Sequence, residues 1–424
     1  MLRSIDPTDR FRPHSPSGLY SARLIAAIGL LMIFATYPPF AKAEFSRAIW
    51  TPTWSMASHP SDVTFKNQTI RMIVHTSVGG HQVRIRLTNQ YGTSGLSVGT
   101  AHIALRKEAS NIVPGTDRAL TFGGQSTIVI PPGAYALSDP VDLDVPQLAD
   151  LAISVYVVDA PSLSTAHNYG LKTNYISPGD VTGAPDLSSG AKTRAYYWLT
   201  EVYVTTQHAV PVIVAFGDSI TDGFRATPDA DSSYPSVLGK MLLTQSRHPA
   251  VVLNEGIGGN RVLHDNLSFS ALARFDRDAL DQPALRIVIL LDGANDIIGS
   301  TSTSPGSKIR PDISTPSEII QGLQQIVARC RLYNIKVIGM TLAPYGGSKY
   351  YLPDGDNVRK AVNQWIRTSG VFDAVLDLDK LMDDPAHPGQ FLPAYDGGDR
   401  LHPGDAGYQA MANAAFQIVE RLEK

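Results

Sequence analysis

The hydrophobic rhythm of this chain changes near residue 210, and that change limits its folds more than any other feature. Between about residues 44 and 209, apolar side chains alternate with polar ones in short runs (69–74, 82–87, 97–105, 126–130 and 151–157). Gly79-Gly80 and Pro131-Pro132-Gly133 punctuate these runs as turns. Successive side chains of a strand point to opposite faces, so a period of two predicts strands with one buried face. The spacing predicts an antiparallel β-sandwich or jelly roll. After Val210 the apolar runs become continuous, at 212–216, 251–254, 287–291, 336–341 and 374–378. They are separated by helical stretches at 235–245, 270–280, 316–332, 356–368 and 404–423. Strands apolar on both faces belong to a parallel sheet covered by helices, with ligands at the carboxyl ends of its strands. The Ser-, Thr- and Gly-rich segment 299–311 is expected to be an exposed loop near those ends. A length of 424 residues suits more than one domain, and the predicted division is a leader at 1–43, a β-sandwich-like domain at 44–209 and an α/β domain at 210–424.

In the leader, Arg3, Arg10, Arg12 and Arg23 precede an apolar run, 24–35, followed by Pro38, Pro39 and Ala41-Lys42-Ala43. A basic start, an apolar middle and an A-x-A ending describe a secretory signal peptide cleaved after Ala43, which predicts a secreted or periplasmic protein. The apolar stretch through Phe40 nears the lower limit of a membrane span, so an uncleaved anchor is the alternative. After cleavage no stable membrane insertion is expected. Loss of the leader removes five basic and two acidic residues, taking the formal charge from -3 to -6, and no basic patch points to nucleic acid. Cys330 is the only cysteine, so an internal disulfide is excluded, and its helical setting predicts a buried structural thiol. The H-E-x-x-H and clustered-cysteine signatures of zinc sites are missing, and no metal or other cofactor is expected. No sequence feature sets an oligomeric state.

Candidate site residues fall at the predicted strand ends. Ser219 follows the 212–216 strand and lies between Gly217 and Gly223, a setting for a tight strand-to-helix turn whose backbone N–H faces a developing anion. The same position suits an ordinary N-cap serine. The second strand ends in Asn254-Glu-Gly256-Ile-Gly258-Gly259-Asn260, where glycine permits close approach of a backbone N–H to a substrate. The third ends in Asp292-Gly293-Ala-Asn295-Asp296, which offers a side-chain amide donor. A plain turn and a structural cap compete for these two segments. Asp399 precedes His402 by three residues, within reach of the imidazole through a local turn. His59, His81, His264 and His387 are read as lacking such a partner, with His264-Asp265 kept as a candidate substrate contact. A serine hydroxyl needs a base to take its proton, and the base needs a third group to fix its tautomer. Ser219, His402 and Asp399 fill those roles.

Four blocks in this order resemble the SGNH, or GDSL, hydrolase family of esterases and lipases over residues 211 to about 422. Gly217-Asp218-Ser219-Ile220 is similar to the first block, with isoleucine in place of the leucine of the family name. Gly259 aligns with the oxyanion glycine, while Gly258 stands where many members carry serine, leaving open which glycine N–H points inward. Gly293-Ala-Asn295-Asp296 resembles the G-x-N-D block and Asp399-Arg-Leu-His402 the D-x-x-H block. The resemblance implies a flavodoxin-like three-layer α/β/α fold and acyl transfer through a Ser219, His402, Asp399 triad. It assigns the oxyanion hole to Ser219 N–H, Gly259 N–H and the Asn295 side chain. Asp218, Gly258 and Gly293 support the site, and Asp222, Asp292 and Asp296 are expected to organise loops. The implied activity is that of a secreted carboxylic ester hydrolase acting on small-molecule or glycan esters with short, acetyl-type acyl groups. A lipase for longer chains and an acyltransferase using an alcohol acceptor are the alternatives, and the intact blocks argue against a non-catalytic binding protein. Trp50, Trp54, Trp198 and Tyr196-Tyr197 are candidate sugar-stacking residues, with core packing as the competing role.

Overall fold

The computed structural model describes residues 49–160, 163–301 and 314–423. The predicted leader, 1–43, lies outside the described residues, as does most of the 299–311 segment, whose first residues belong to the helix Ala294–Thr301.

In the β half, Asp150–Ala160 pairs antiparallel with Phe65–His75 on one side and Leu96–Glu108 on the other, at the centre of an eight-stranded sheet. A five-stranded sheet places Leu199–Thr206 between Ile49–Ser55 and Gly80–Thr88, with Val141–Val145 and Tyr135–Leu137 also on Gly80–Thr88. The strand Gly80–Thr88 shows why alternation was informative: Val83, Ile85 and Leu87 are buried, while Gln82, Arg84 and Arg86 are only partly so. Phe65–His75 breaks the pattern because both its faces are covered. Its Arg71 lies buried under the 182–184 loop, donating to Ser154 Oγ (2.8 Å) and to the carbonyls of Ser110 (2.8 Å) and Thr182 (3.1 Å). A third, small sheet joins His59–Ser61, Ser164–His167 and Tyr196–Tyr197.

The second half is a five-stranded parallel sheet of Val212–Gly217 (first strand), Val251–Gly256 (second), Leu285–Leu291 (third), Lys336–Met340 (fourth) and Ala374–Leu376 (fifth). Its spatial order is second, first, third, fourth, fifth, the flavodoxin-like order. Helices Tyr234–Thr244, Pro316–Leu332, Pro353–Thr368 and Asp405–Leu422 occupy positions read from the sequence, and the 270–280 stretch forms Ala271–Phe275 continued by a π-helical turn, Asp276–Leu280. Pro316–Leu332 starts at a capping box in which Thr315 Oγ1 accepts from Glu318 N (3.3 Å) and the Glu318 carboxylate accepts from Thr315 N (2.8 Å). It buries Ile319, Leu323, Ile326, Val327 and Cys330 along one stripe. Burial pushes the Cys330 thiol up to about 12, so it packs as an inert apolar group.

The described residues belong to one compact unit, and a continuous apolar cluster runs through both halves. Met56 bridges to Asn254 beside the second parallel strand, and the Ser55 hydroxyl donates to the buried carboxylate of Glu255. The β half therefore packs directly against the sheet that carries the candidate site.

Candidate active site

The first strand, buried throughout, ends between the second and third strands, where the direction of the chain's progress across the sheet reverses. Crevices at such switch points are the usual ligand sites of open α/β sheets. Gly217 is required there, since a Cβ would stand 2.0 Å from the Leu291 carbonyl oxygen. The chain then makes a single helical turn, Ser219–Asp222, capped by Asp218, whose Oδ1 accepts from Ile220 N (3.0 Å). Gly223, at φ 106°, closes the turn with a bond from its N–H to Ser219 O (3.0 Å).

This turn aims Ser219 at His402, with Oγ 2.9 Å from Nε2. His402 Nδ1 lies 2.9 Å from Asp399 Oδ2, and Asp399 Oδ1 accepts the N–H groups of Leu401 (3.1 Å) and His402 (2.9 Å). The carboxylate can only accept, so the ring proton sits on Nδ1 and Nε2 is free to receive the serine proton. Partial burial would raise the Asp399 carboxyl, but hydrogen bonds from His402 and Arg225 (Nε to Oδ2, 3.1 Å) overcome it and hold the group well below the usual carboxylate range. Phe224 backs the imidazole with ring centres 4.7 Å apart, and Tyr169, from the β half, stands edge-on to Phe224.

The two glycines differ in their hydrogen-bond partners. Gly258 N–H donates to Asp222 Oδ2 (3.1 Å), whereas Gly259, at φ 75°, has no partner for its N–H among the described residues, and neither has Ser219 N–H. Asn295 Nδ2 donates one hydrogen to the Asn260 carbonyl (2.9 Å), which fixes the amide and leaves its second hydrogen available. Gly293, at φ 118°, allows the turn that delivers Asn295, and its N–H donates to Asp292 Oδ1 (2.8 Å).

Buried acids lie beneath these loops. Asp296 accepts from Val262 N (2.7 Å) and Leu263 N (3.1 Å), just beyond the glycine loop, and burial raises its carboxyl. Burial also raises Asp218 to about 6 and Asp292 well above the ordinary range, where the charges of neighbouring acids add to the effect. The fully buried Arg274 offsets this negative charge and ties the strand ends together. It donates to the carbonyls of Gly217 (2.9 Å) and Glu255 (2.9 Å) and to Asn260 Oδ1 (2.9 Å). Nothing in the sequence marked Arg274, which reads as one more charge on a helix.

One expectation about other residues needs correction. His81 and His387 do have carboxylate partners: His81 Nδ1 lies 2.7 Å from Asp144 and His387 Nδ1 2.9 Å from Asp384. Asp384-Pro-Ala-His387 is a second D-x-x-H segment that the sequence shows plainly. Asp265, beside His264, accepts from Ser270 N (2.7 Å) and so serves its own loop. Tyr196, Tyr197 and Trp198 are buried core residues and cannot stack on a ligand, while Trp54 packs on Tyr196 and Trp50 lies under the Arg84 guanidinium. His75, Asp150 and Asp231 bring possible ligand atoms within 4.8 Å of one another, but Lys172 (2.7 Å from Asp231) and Arg106 (2.6 Å from Asp150) already neutralise these carboxylates.

Residues 215–410 match the GDSL-like lipase/acylhydrolase family. Among solved structures the chain is similar to an acetylxylan esterase from Geobacillus stearothermophilus, at 22% identity over 49% of this chain and 93% of that one, with a TM-score of 0.36. It is also similar to a GDSL-like lipase from Bacteroides thetaiotaomicron VPI-5482, at 17% identity over 51% of this chain and 93% of that one, with a TM-score of 0.38. No curated protein matches the chain. Residues 215–410 are thus a GDSL-like lipase/acylhydrolase domain, and the chain is a carboxylic ester hydrolase.

Proposed function

We propose that this enzyme hydrolyses short-chain, acetyl-type esters through a Ser219-His402-Asp399 triad. The observation that carries the proposal is the unbroken relay from Ser219 Oγ to His402 Nε2 and from Nδ1 to Asp399, each link 2.9 Å, beside two unengaged backbone N–H groups. As Ser219 Oγ attacks the carbonyl carbon, its proton passes to His402 Nε2. The negative charge that develops on the former carbonyl oxygen is received by Ser219 N–H, Gly259 N–H and Asn295 Nδ2, and donors of this kind contribute roughly 3 to 4 kcal/mol each. His402 then protonates the departing alcohol, leaving an acyl-serine. A water that gives its proton to His402 attacks the acyl carbon, the acid departs, and the proton returns to Ser219. Asp399 stays anionic throughout and stabilises the imidazolium.

A small apolar hollow supports the short acyl preference. It is lined by Ile220, Ala294, Leu342 and Leu401, which include chain neighbours of Ser219, Asn295 and His402, and it offers about 20 Å³, the scale of one water or methyl group. Tyr169, 51% exposed at the mouth, supports an alcohol component with a flat apolar face, such as a sugar ring. The composition of residues 1–43 supports export of the mature enzyme.

A series of p-nitrophenyl esters from acetate to palmitate, run beside acetylated glycans, tests the proposal. Acetate should give the highest kcat/KM, and palmitate preferred over acetate would overturn the acyl assignment. Ser219→Ala should lower kcat by about 10⁴-fold or more with the fold intact, and retained turnover would overturn the nucleophile.

A further inference from the structure

We infer that the β half supplies a working part of the catalytic site: His167 is a positioning residue that sets the oxyanion loop through Asp222. The inference rests on the serine-hydrolase proposal above. His167 ends the strand Ser164–His167 and is almost completely buried, 4% exposed. Its Nδ1 lies 2.8 Å from the Ala57 carbonyl oxygen and its Nε2 lies 3.0 Å from Asp222 Oδ1. The carbonyl can only accept, so Nδ1 carries a proton, and a second proton must sit between Nε2 and the Asp222 carboxylate. Burial disfavours charge on this ring, but Asp222 and the Ala57 carbonyl outweigh it and raise the affinity of His167 for its proton.

Asp222 is the last residue of the turn that begins with Ser219, and its own N–H is bonded to Asp218 O (2.9 Å). Its second oxygen, Oδ2, accepts the Gly258 N–H at 3.1 Å, one peptide before the unengaged N–H of Gly259. A chain of contacts thus runs from Ala57 O through His167 and Asp222 to Gly258, fixing the peptide that orients Gly259. Oxyanion donors act by being in place before charge develops, so loosening this peptide would weaken the transition state more than the bound ester. Loss of the proton between His167 and Asp222 would set two lone pairs against each other at 3.0 Å in a buried site, and the carboxylate would have to turn away from Gly258.

Other titratable and charged groups face this pair. His59, with its ring centre 6.1 Å away, donates from Nδ1 to Pro60 O (2.9 Å) and accepts at Nε2 from Asn168 N (3.1 Å), which fits a neutral ring. Arg274 acts on His167 from the strand ends, Asp218 and Tyr408 interact with the Asp222 charge from the start of the turn and from the last helix, and His75, Lys172 and Asp231 line the cleft between the halves.

The test is kcat and KM for p-nitrophenyl acetate between pH 6 and 9 in the full mature chain and in His167→Ala and Asp222→Asn, with thermal melting as a control. His167→Ala should lower kcat by about 10- to 100-fold while KM moves less than about threefold, and should remove an alkaline fall in kcat present in the parent. An asparagine at 222 can still accept from Gly258 while its amide donates to a neutral Nε2. Asp222→Asn should therefore keep more activity than His167→Ala and also lose the alkaline fall. Unchanged kcat in folded His167→Ala, or an alkaline fall that persists in Asp222→Asn, overturns the inference. If His167→Ala does not fold, the pH profile of Asp222→Asn decides alone. An active Ser219→Ala would sink the triad itself, whereas an inactive one beside an unimpaired His167→Ala would sink only the role of His167.

Discussion

Asp384-Pro-Ala-His387-Pro-Gly389 and Asp399-Arg-Leu-His402-Pro-Gly404 are near-copies in sequence, and their local geometry is nearly the same. In each, the aspartate holds the ring Nδ1 at 2.9 Å and accepts a nearby backbone N–H, from Ala386 (3.0 Å) or Leu401 (3.1 Å). They differ in what lies beyond the ring. The His387 side chain, at the edge of the hairpin Asp383–Asp384 with His387–Phe391, is 67% exposed, whereas that of His402 is 11% exposed, beside Phe224 and in contact with Ser219. Arg225, three residues past the turn that carries the serine, reaches back to Asp399. An Asp-His pair is thus a local product of four residues, while a triad needs a long-range contact that only the parallel sheet provides.

Removing each imidazole in turn gives the sharpest test of that contrast. His402→Ala should lower kcat on p-nitrophenyl acetate by about 10⁴-fold or more, because the serine loses its base. His387→Ala should stay within about twofold of the parent. A comparable loss in both variants would break the comparison and mean that the hairpin histidine also reaches the substrate.

The partner carboxylates should follow with a smaller separation. Asp399→Asn should lower kcat by about 10³- to 10⁴-fold, since the amide can no longer enforce the Nδ1–H tautomer, while Asp384→Asn should leave kcat within about twofold. Both variants retain an oxygen that can accept the local N–H groups, so melting temperatures measured alongside should show that the folds persist.

The same contrast explains what could be read from the sequence. The parallel strands were legible because burial on both faces gives continuous apolar runs, and Pro316–Leu332 was legible to its last residue because Pro316 opens it and the apolar stripe runs to its end. The meeting of Ser219, His402 and Asp399 was legible because each lies in a short motif. The strands Ser164–His167 and Tyr196–Tyr197 were not, because two to four residues carry no period. Arg274 and His167 were also hidden. Each acts through partners distant in the chain, as in the bond of His167 to Asp222, and no local pattern encodes such a pairing.

The smallest expected effect contrasts two carboxylates of the site that environment drives in opposite directions. Asp399 is held below its ordinary range by donors, so its folded-state advantage is present above the unfolded value near 4 and is lost as pH falls toward the folded one. Asp218 is raised to about 6 by burial, so its contribution is full below about 4 and is lost as pH rises through about 6. Asparagine at either position removes the titration while keeping an acceptor for the local N–H. Relative to the parent, Asp218→Asn should therefore gain stability, on the order of 1 kcal/mol, between pH 4.5 and 7.5. Asp399→Asn should compare less favourably with the parent at pH 5 than at pH 3. Urea unfolding of the three proteins across this range checks both signs, and parallel curves for Asp218→Asn and the parent would show that the buried carboxyl titrates as an ordinary exposed one.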